Sequence, residues 1–211
     1  MLRYAATFRE LPRVLEIIRN RGEKVIVDYA KENCKSREAY EIAETTKRII
    51  TSLPINSMCA IKLTSFGSRE NESEAKDYAH SIIKYAKTRG VKICIDAEDV
   101  LYPEICYDMM AEHNTVNDIN VYKTYQMYRR DSLKVLMNDI NRCNKENIPF
   151  SGKLVRGAYW NSEKNDGHLF IKKEDTDQSY NEAILNINNF KYDTEFPLTS
   201  LDIYWAYPCK I

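Results

Sequence analysis

The sequence predicts an α/β fold: a partial (β/α)8 TIM-type barrel in which about five βα units are legible. Three observations predict it. Five short apolar runs begin at positions 24, 58, 91, 119 and 153, the recurrence of successive βα units. Most are nearly continuous in apolar residues, as strands buried on both faces of a parallel sheet are. Helical periodicity fills the intervals between them. An open doubly wound sheet would share these features, but no GxGxxG follows the first run and there is no P-loop, so the dinucleotide-binding alternative loses its main support.

The elements follow in order. LPRVLEIIRNRG (11–22) has apolar residues at 11, 14, 15 and 18 and a glycine stop, the pattern of an amphipathic helix. KVIVDY (24–29) is the first strand. SREAYEIAETTKRII (36–50) is a helix expected to start from Ser36 as its N-cap. MCAIKLT (58–64) is the second strand. Residues 71–89 place Ala75, Tyr78, Ile82 and Tyr85 on one helical face, and Gly90 ends it. VKICID (91–96) and INVYKTY (119–125) are the third and fourth strands, and a helix is expected over about 127–146. KLVRG (153–157) is the fifth strand. DTDQSYNEAILNINNF (175–190) is a helix with acids in its first turn.

Composition narrows the function. The chain has 211 residues, with 31 Lys+Arg against 31 Asp+Glu. That balance removes the electrostatic argument for nucleic acid or an anionic membrane surface as a partner. No window approaches the apolar length of a membrane span. The six cysteines form no CxxC pair, and Cys59 and Cys94, inside apolar strands, read as small buried hydrophobes of a reducing compartment. His80, His113 and His168 sit in no ligand pattern, so no metal is expected. The opening MLRYAATFRELP lacks the h-region of a secretory signal and is too short and too soon acidic for a mitochondrial presequence.

In a barrel the chemistry sits at the C-terminal ends of the strands. The unexpected polar residues fall there: Asp28 and Glu32 after the first strand, Lys62 late in the second, Asp96 and Glu98 after the third, Tyr125 and Gln126 after the fourth, Arg156 and Tyr159 after the fifth. Each has a plainer reading alone. Lys62 reads equally as a solvated edge lysine, Asp96 as a helix cap, and Tyr159 as a buried aromatic in a βα turn. KLVRGAYW (153–160) is more telling, because Gly157 and Ala158 remove bulk where a flat group would approach the backbone.

KLVRGAYW resembles the fifth-strand signature of the proline dehydrogenase (proline oxidase) family. VIVDYAKE (25–32), AIKLTSFG (60–67), CIDAED (94–99), VYKTYQMYRRDSL (121–133) and KEDTDQSYNEAI (173–184) are similar to further family segments, in family order, over roughly residues 10–190. They resemble the eukaryotic type more than the long bacterial bifunctional type. The resemblance implies a distorted (β/α)8 barrel that holds FAD against its strand ends and oxidises L-proline to pyrroline-5-carboxylate, with electrons passing to a quinone. It implies that Lys62 pairs with the substrate carboxylate, that Asp96 organises the pocket, that Glu32 is an acid near the lysine, and that Tyr159 and Ala158 line the substrate. It places Lys153 near the flavin N5 edge, Arg156, Gly157 and Ala158 beside the isoalloxazine, and Gln126 facing the flavin. Lys123 stands where the family carries Asn or Gln near the flavin pyrimidine; either it faces the N1/O2 edge or that contact is lost. The family is mitochondrial or associated with a bacterial membrane, and the compartment of this chain is left open.

Residues 1–190 are therefore expected to form the barrel portion. Residues 191–211 match no family segment, neither an ATHN-like sixth strand nor a YxxRR arginine pair, although LDIYW could form one aromatic-rich strand. The expectation is a C-terminally truncated family member. It is either a working FAD enzyme, alone or with a complementing chain or as a homo-oligomer, or a catalytically inactive remnant. An unrelated barrel enzyme using Asp96 and Glu98 is the third reading.

Overall fold

Pro12 suits the first turn of a helix, where its missing N–H has no intrahelical partner to lose. The computed structural model describes residues 6–98, 102–165, 167–192 and 201–205, and in it α1 (Leu11–Asn20) buries Leu11, Leu15 and Ile18. The chain divides into two compact units that meet in sequence at Asp96.

In the first unit β1 (Ile26–Asp28), α2 (Ser36–Ser52), β2 (Met58–Ile61), a 3₁₀ helix (Leu63–Phe66), α3 (Glu72–Thr88) and β3 (Lys92–Ile95) follow α1. The three strands are parallel, with Asp28 opposite Ala60 and Ala60 opposite Cys94. α3 packs on α2 and β3, and the core holds Ile50, Met58, Ile82, Ile83, Ile93 and Ile95. Ser36 is the first residue of α2 and not its cap: Glu38 reaches back to the Lys35 N–H at 3.0 Å, while the Ser36 N–H donates to Glu70 Oε2. Asn71 caps α3 by accepting from the Glu74 N–H. The buried face of α3 is Ala75, Ala79, Ile82, Ile83 and Ala86, with Tyr78 and Tyr85 half-buried along its margins. Small alanines let the helix approach its neighbours, which the wider tyrosines would prevent.

The second unit runs α4 (Pro103–His113), β4 (Val121–Gln126), α5 (Ser132–Glu146), β5 (Phe150–Val155), α6 (Trp160–Glu163), α7 (Lys173–Tyr192) and β6 (Leu201–Trp205). β4 and β5 are parallel, with Lys123 opposite Gly152 and Gln126 opposite Val155. β6 is the LDIYW segment, parallel to β5 with Phe150 opposite Leu201. α5 packs on both β4 and β5, α4 on β4 and α7 on α5. β5 begins three residues before its expected start. α4 is an element the sequence pattern does not announce, because its apolar residues cluster at Cys106, Tyr107, Met109 and Met110 without an open polar face between them. Residues 127–131, expected to be helical, instead form turns, and the first two run alongside the end of β5: the Met127 and Tyr128 amides donate to the Val155 and Arg156 carbonyls at 2.8 and 2.7 Å. Among the described residues no helix is long and apolar enough to cross a membrane.

Candidate functional site

Side chains along a strand alternate between its two faces, so Lys62 shares the face of Ala60, and Asp96 that of Cys94. The pleat of β2 runs on through Lys62, whose backbone is extended (φ −125°, ψ 129°), and the Asp96 N–H still bonds to the Ile61 carbonyl at 2.9 Å. Asp28 lies in the row of Ala60 and Cys94. The register therefore brings two carboxylates to one ammonium. Lys62 Nζ lies 2.6 Å from Asp28 Oδ1 and 3.3 Å from Asp96 Oδ2. The lysine is 6% exposed. Burial alone would push its pKa down, but the charges of Asp96 and Asp28 and their hydrogen bonds outweigh that, and the net shift is upward. The ammonium is thus held charged and aimed.

The loops around this cluster are tied to one another. Gly67, at φ +74°, ends the 3₁₀ helix, and a Cβ there would lie 2.6 Å from Ser36 Cα, so only glycine fits. Ser65 Oγ donates to the Lys31 carbonyl at 2.5 Å, and the Cys34 N–H donates to the Thr64 carbonyl at 3.0 Å. Glu32 lies in this tied loop, exposed, four residues after Asp28. Asp28 joins Asp96 in contact with the lysine, and the choice of Asp28 as a partner follows from strand register, which sequence alone does not supply.

The second unit carries a different set. On β4, Lys123 and Tyr125 share one face and converge on the helix layer. Lys123 Nζ lies 2.6 Å from Asp139 Oδ2 and 2.9 Å from the Pro103 carbonyl, and the Tyr125 hydroxyl donates to the same Asp139 oxygen at 2.8 Å. The cation at 123 therefore serves the packing of α5 on β4 and does not point along the face of Gln126. Gln126 occupies that opposite face, 2% exposed. Its Oε1 accepts from the Ala158 N–H at 3.1 Å, which fixes the amide orientation and leaves Nε2 buried without a hydrogen-bond partner among the described residues. Lys153 is buried on the β5 face that Val155 shares.

Beyond β5, Arg156 donates from Nε to Asp177 Oδ1 at 2.5 Å and its guanidinium lies 4.2 Å from the centre of the Tyr180 ring. Its Nη1 is buried and has no hydrogen-bond partner among the described residues. Gly157 adopts φ +138°; a Cβ there would stand 2.4 Å from the Tyr128 ring. Ala158 is exposed and Tyr159 half-buried. The resulting strand end has small residues at its surface and two buried N–H donors, Gln126 Nε2 and Arg156 Nη1, that lack acceptors. Buried donors are nearly always paired, and a ligand rich in acceptors would suit them. The ring nitrogens, carbonyls and phosphates of FAD are such acceptors, and these residues fit that group.

Sequence reasoning did not find Asp177, Asp139, Tyr128 or Glu163. The Glu163 carboxylate is 2% exposed, accepts from the Tyr128 hydroxyl and lies 3.0 Å from Arg129 Nη1. A glutamate one turn after a signature motif reads as surface charge, and its partners lie 34 and 35 residues earlier.

Comparison with known proteins adds three findings. The proline dehydrogenase family profile matches residues 13–191. Among curated proteins, the carbapenem antibiotics biosynthesis protein CarD of Pectobacterium carotovorum is 31% identical over 84% of this chain and 54% of its own length. The probable mitochondrial proline dehydrogenase of Schizosaccharomyces pombe is 30% identical over 64% of this chain and 29% of its own. The chain thus spans about half the length of the first and under a third of the second. Among solved structures, proline utilization A (PutA) of Bdellovibrio bacteriovorus, inactivated by N-propargylglycine, superposes with a TM-score of 0.73 at 17% identity, covering 94% of this chain and 24% of that one. That likeness bears out the α/β barrel-type fold class.

Proposed function

The chain belongs to the proline dehydrogenase family, and from that premise we propose that it serves the FAD-dependent oxidation of L-proline to pyrroline-5-carboxylate, with electrons passing on to a quinone-type acceptor. The observation that carries this reading is the buried Lys62 ammonium held at strand ends by Asp28 and Asp96. An ammonium has three N–H donors, and two acids engage two of them. The third is suited to a substrate carboxylate, a charge-assisted contact that orients the ring.

Lys153, Gln126, Arg156, Gly157 and Ala158 would hold FAD. Bound there, FAD would supply the redox chemistry, taking a hydride at N5 from the proline ring carbon while the ring nitrogen loses a proton. The chain's own residues bind and orient. Gln126 offers Nε2 to an acceptor and keeps Oε1 on the Ala158 amide. Gly157 and Ala158 keep side-chain bulk away from a flat ring. Tyr159 offers an aromatic face and a hydroxyl to the substrate. Lys153 and Arg156 set cations beside negative charge that develops on reduction.

The test is an absorbance spectrum of the purified chain with FAD added, followed by proline under anaerobic conditions. The expected result is a bound flavin spectrum that bleaches with proline. A chain that takes up no FAD, or whose bound flavin proline leaves unchanged, overturns the reading.

A further inference from the structure

The backbone that follows β5 is held from the residues just after β4, by contacts with a single tyrosine at their centre. The Tyr128 ring lies against Gly157, close enough that no Cβ fits between them. The Tyr128 N–H donates to the Arg156 carbonyl at 2.7 Å. The Tyr128 hydroxyl accepts from the Tyr159 N–H at 3.3 Å and donates to Glu163. Glu163 is itself fixed, because its other oxygen lies 3.0 Å from Arg129 Nη1 and its backbone N–H donates to the Tyr159 carbonyl at 3.0 Å. Tyr159 is thus gripped at its amide by a hydroxyl and at its carbonyl by the first turn of α6, and both grips lead to Glu163.

A buried carboxylate paired with a buried arginine is expensive to keep, and replacing such a pair with apolar residues is often neutral or stabilising. What such a cluster can supply is a unique geometry, and here the geometry is that of the Tyr159 backbone. Burial, then the hydrogen bond and charge of Glu163, push the Tyr128 phenol far up its range, so its proton stays on and the direction of the two hydrogen bonds is fixed.

We propose that Tyr128 and Glu163 are a positioning pair for the reaction: Glu163 orients the Tyr128 hydroxyl, and that hydroxyl holds the amide of Tyr159 so that its ring meets the substrate. The proposal rests on the proline-oxidising reading above. Neither residue touches the reacting atoms, and the pair acts through Tyr159.

The test compares Tyr128→Phe, which keeps the ring on Gly157 and deletes only the hydroxyl, with the unaltered chain. Hydrogen exchange at the Tyr159 amide, measured without cofactor, is expected to speed about five- to tenfold, the loss of one net hydrogen bond. In the FAD-loaded chain, the proline concentration for half-bleaching is expected to rise about tenfold while FAD affinity stays within about twofold. Glu163→Gln, which can still accept from the hydroxyl, is expected to fall between the two. Unchanged exchange in Tyr128→Phe overturns the clamp. Faster exchange with unchanged proline response shows a merely structural contact and overturns the positioning role. If the unaltered chain binds FAD but does not respond to proline, the functional reading has failed and the substrate role with it, and the exchange result still decides whether the hydroxyl holds Tyr159.

Discussion

Lys62 shows what one buried charge requires. An ammonium at 6% exposure is tolerable because two carboxylates stand within hydrogen-bond reach. Removing it leaves those acids facing each other. Lys62→Met should therefore lower stability by roughly 2–3 kcal/mol, below the cost of breaking a fully buried pair because Asp28 is 45% exposed and water screens it. The same change should raise the proline concentration for half-bleaching about ten- to hundredfold, the loss of one charge-assisted hydrogen bond. Flavin affinity should stay near that of the unaltered chain; a variant with undiminished proline response would remove Lys62 from substrate binding. Because the folded pKa of this lysine is raised above 10.5, its contribution is fully present below 10.5 and is lost only as pH rises through the higher folded value. No limb of a pH profile between about pH 6 and 10 should belong to it. At this scale the sequence was half legible. Lys62 and Asp96 stand out as polar residues closing apolar runs, whereas the roles of Asp28 and Glu163 depend on which strands and turns lie beside them.

Elements were legible wherever period and termination agreed. α1, α2, α3 and α7 show apolar residues at helical spacing and clear stops or acidic starts, and each was found close to its bounds. α4 lacks that alternation, and MYRRDSL reads as the start of a helix although its first part lies along the end of β5. Tertiary hydrogen bonds to the Val155 and Arg156 carbonyls decide that stretch, and no local pattern carries them. The anchoring of α7 is likewise non-local. Asp177 in its second turn receives Arg156 from the end of β5 and also pairs with Lys173. The hydrogen bonds of Lys173 and Arg156 lower the Asp177 pKa. Its contribution is thus present above the ordinary value of 3.8 and lost as pH falls through the lower folded value. Asp177→Asn should lower Tm by about 2–4 °C at pH 7. The difference should persist down to pH 3.8 and close below it, as thermal melts across pH will show; a gap independent of pH would mean the charge contributes nothing.

Across the whole molecule, chemical reactivity follows burial. Cys59, Cys94, Cys106 and Cys143 are buried, while Cys34 is half-buried in a loop. Burial, then nearby carboxylates, push the Cys59 thiol up to about 12, and Cys143 is pushed up to about 11, chiefly by burial. At pH 8 iodoacetamide should modify Cys34 ahead of Cys59, Cys94, Cys106 and Cys143, because the thiolate is the nucleophile; mass spectrometry that finds Cys59 labelled as fast would contradict the packing. The strand order within each unit has a further consequence. Every pairing from β1 to β3, and from β4 to β6, joins a strand to the one immediately before it in the chain. Among the described residues, no strand in either unit waits for a partner that is synthesised later than its successor. On the ribosome, each new strand emerges to find its neighbour already made, so assembly can keep pace with translation and exposes one fresh edge at a time.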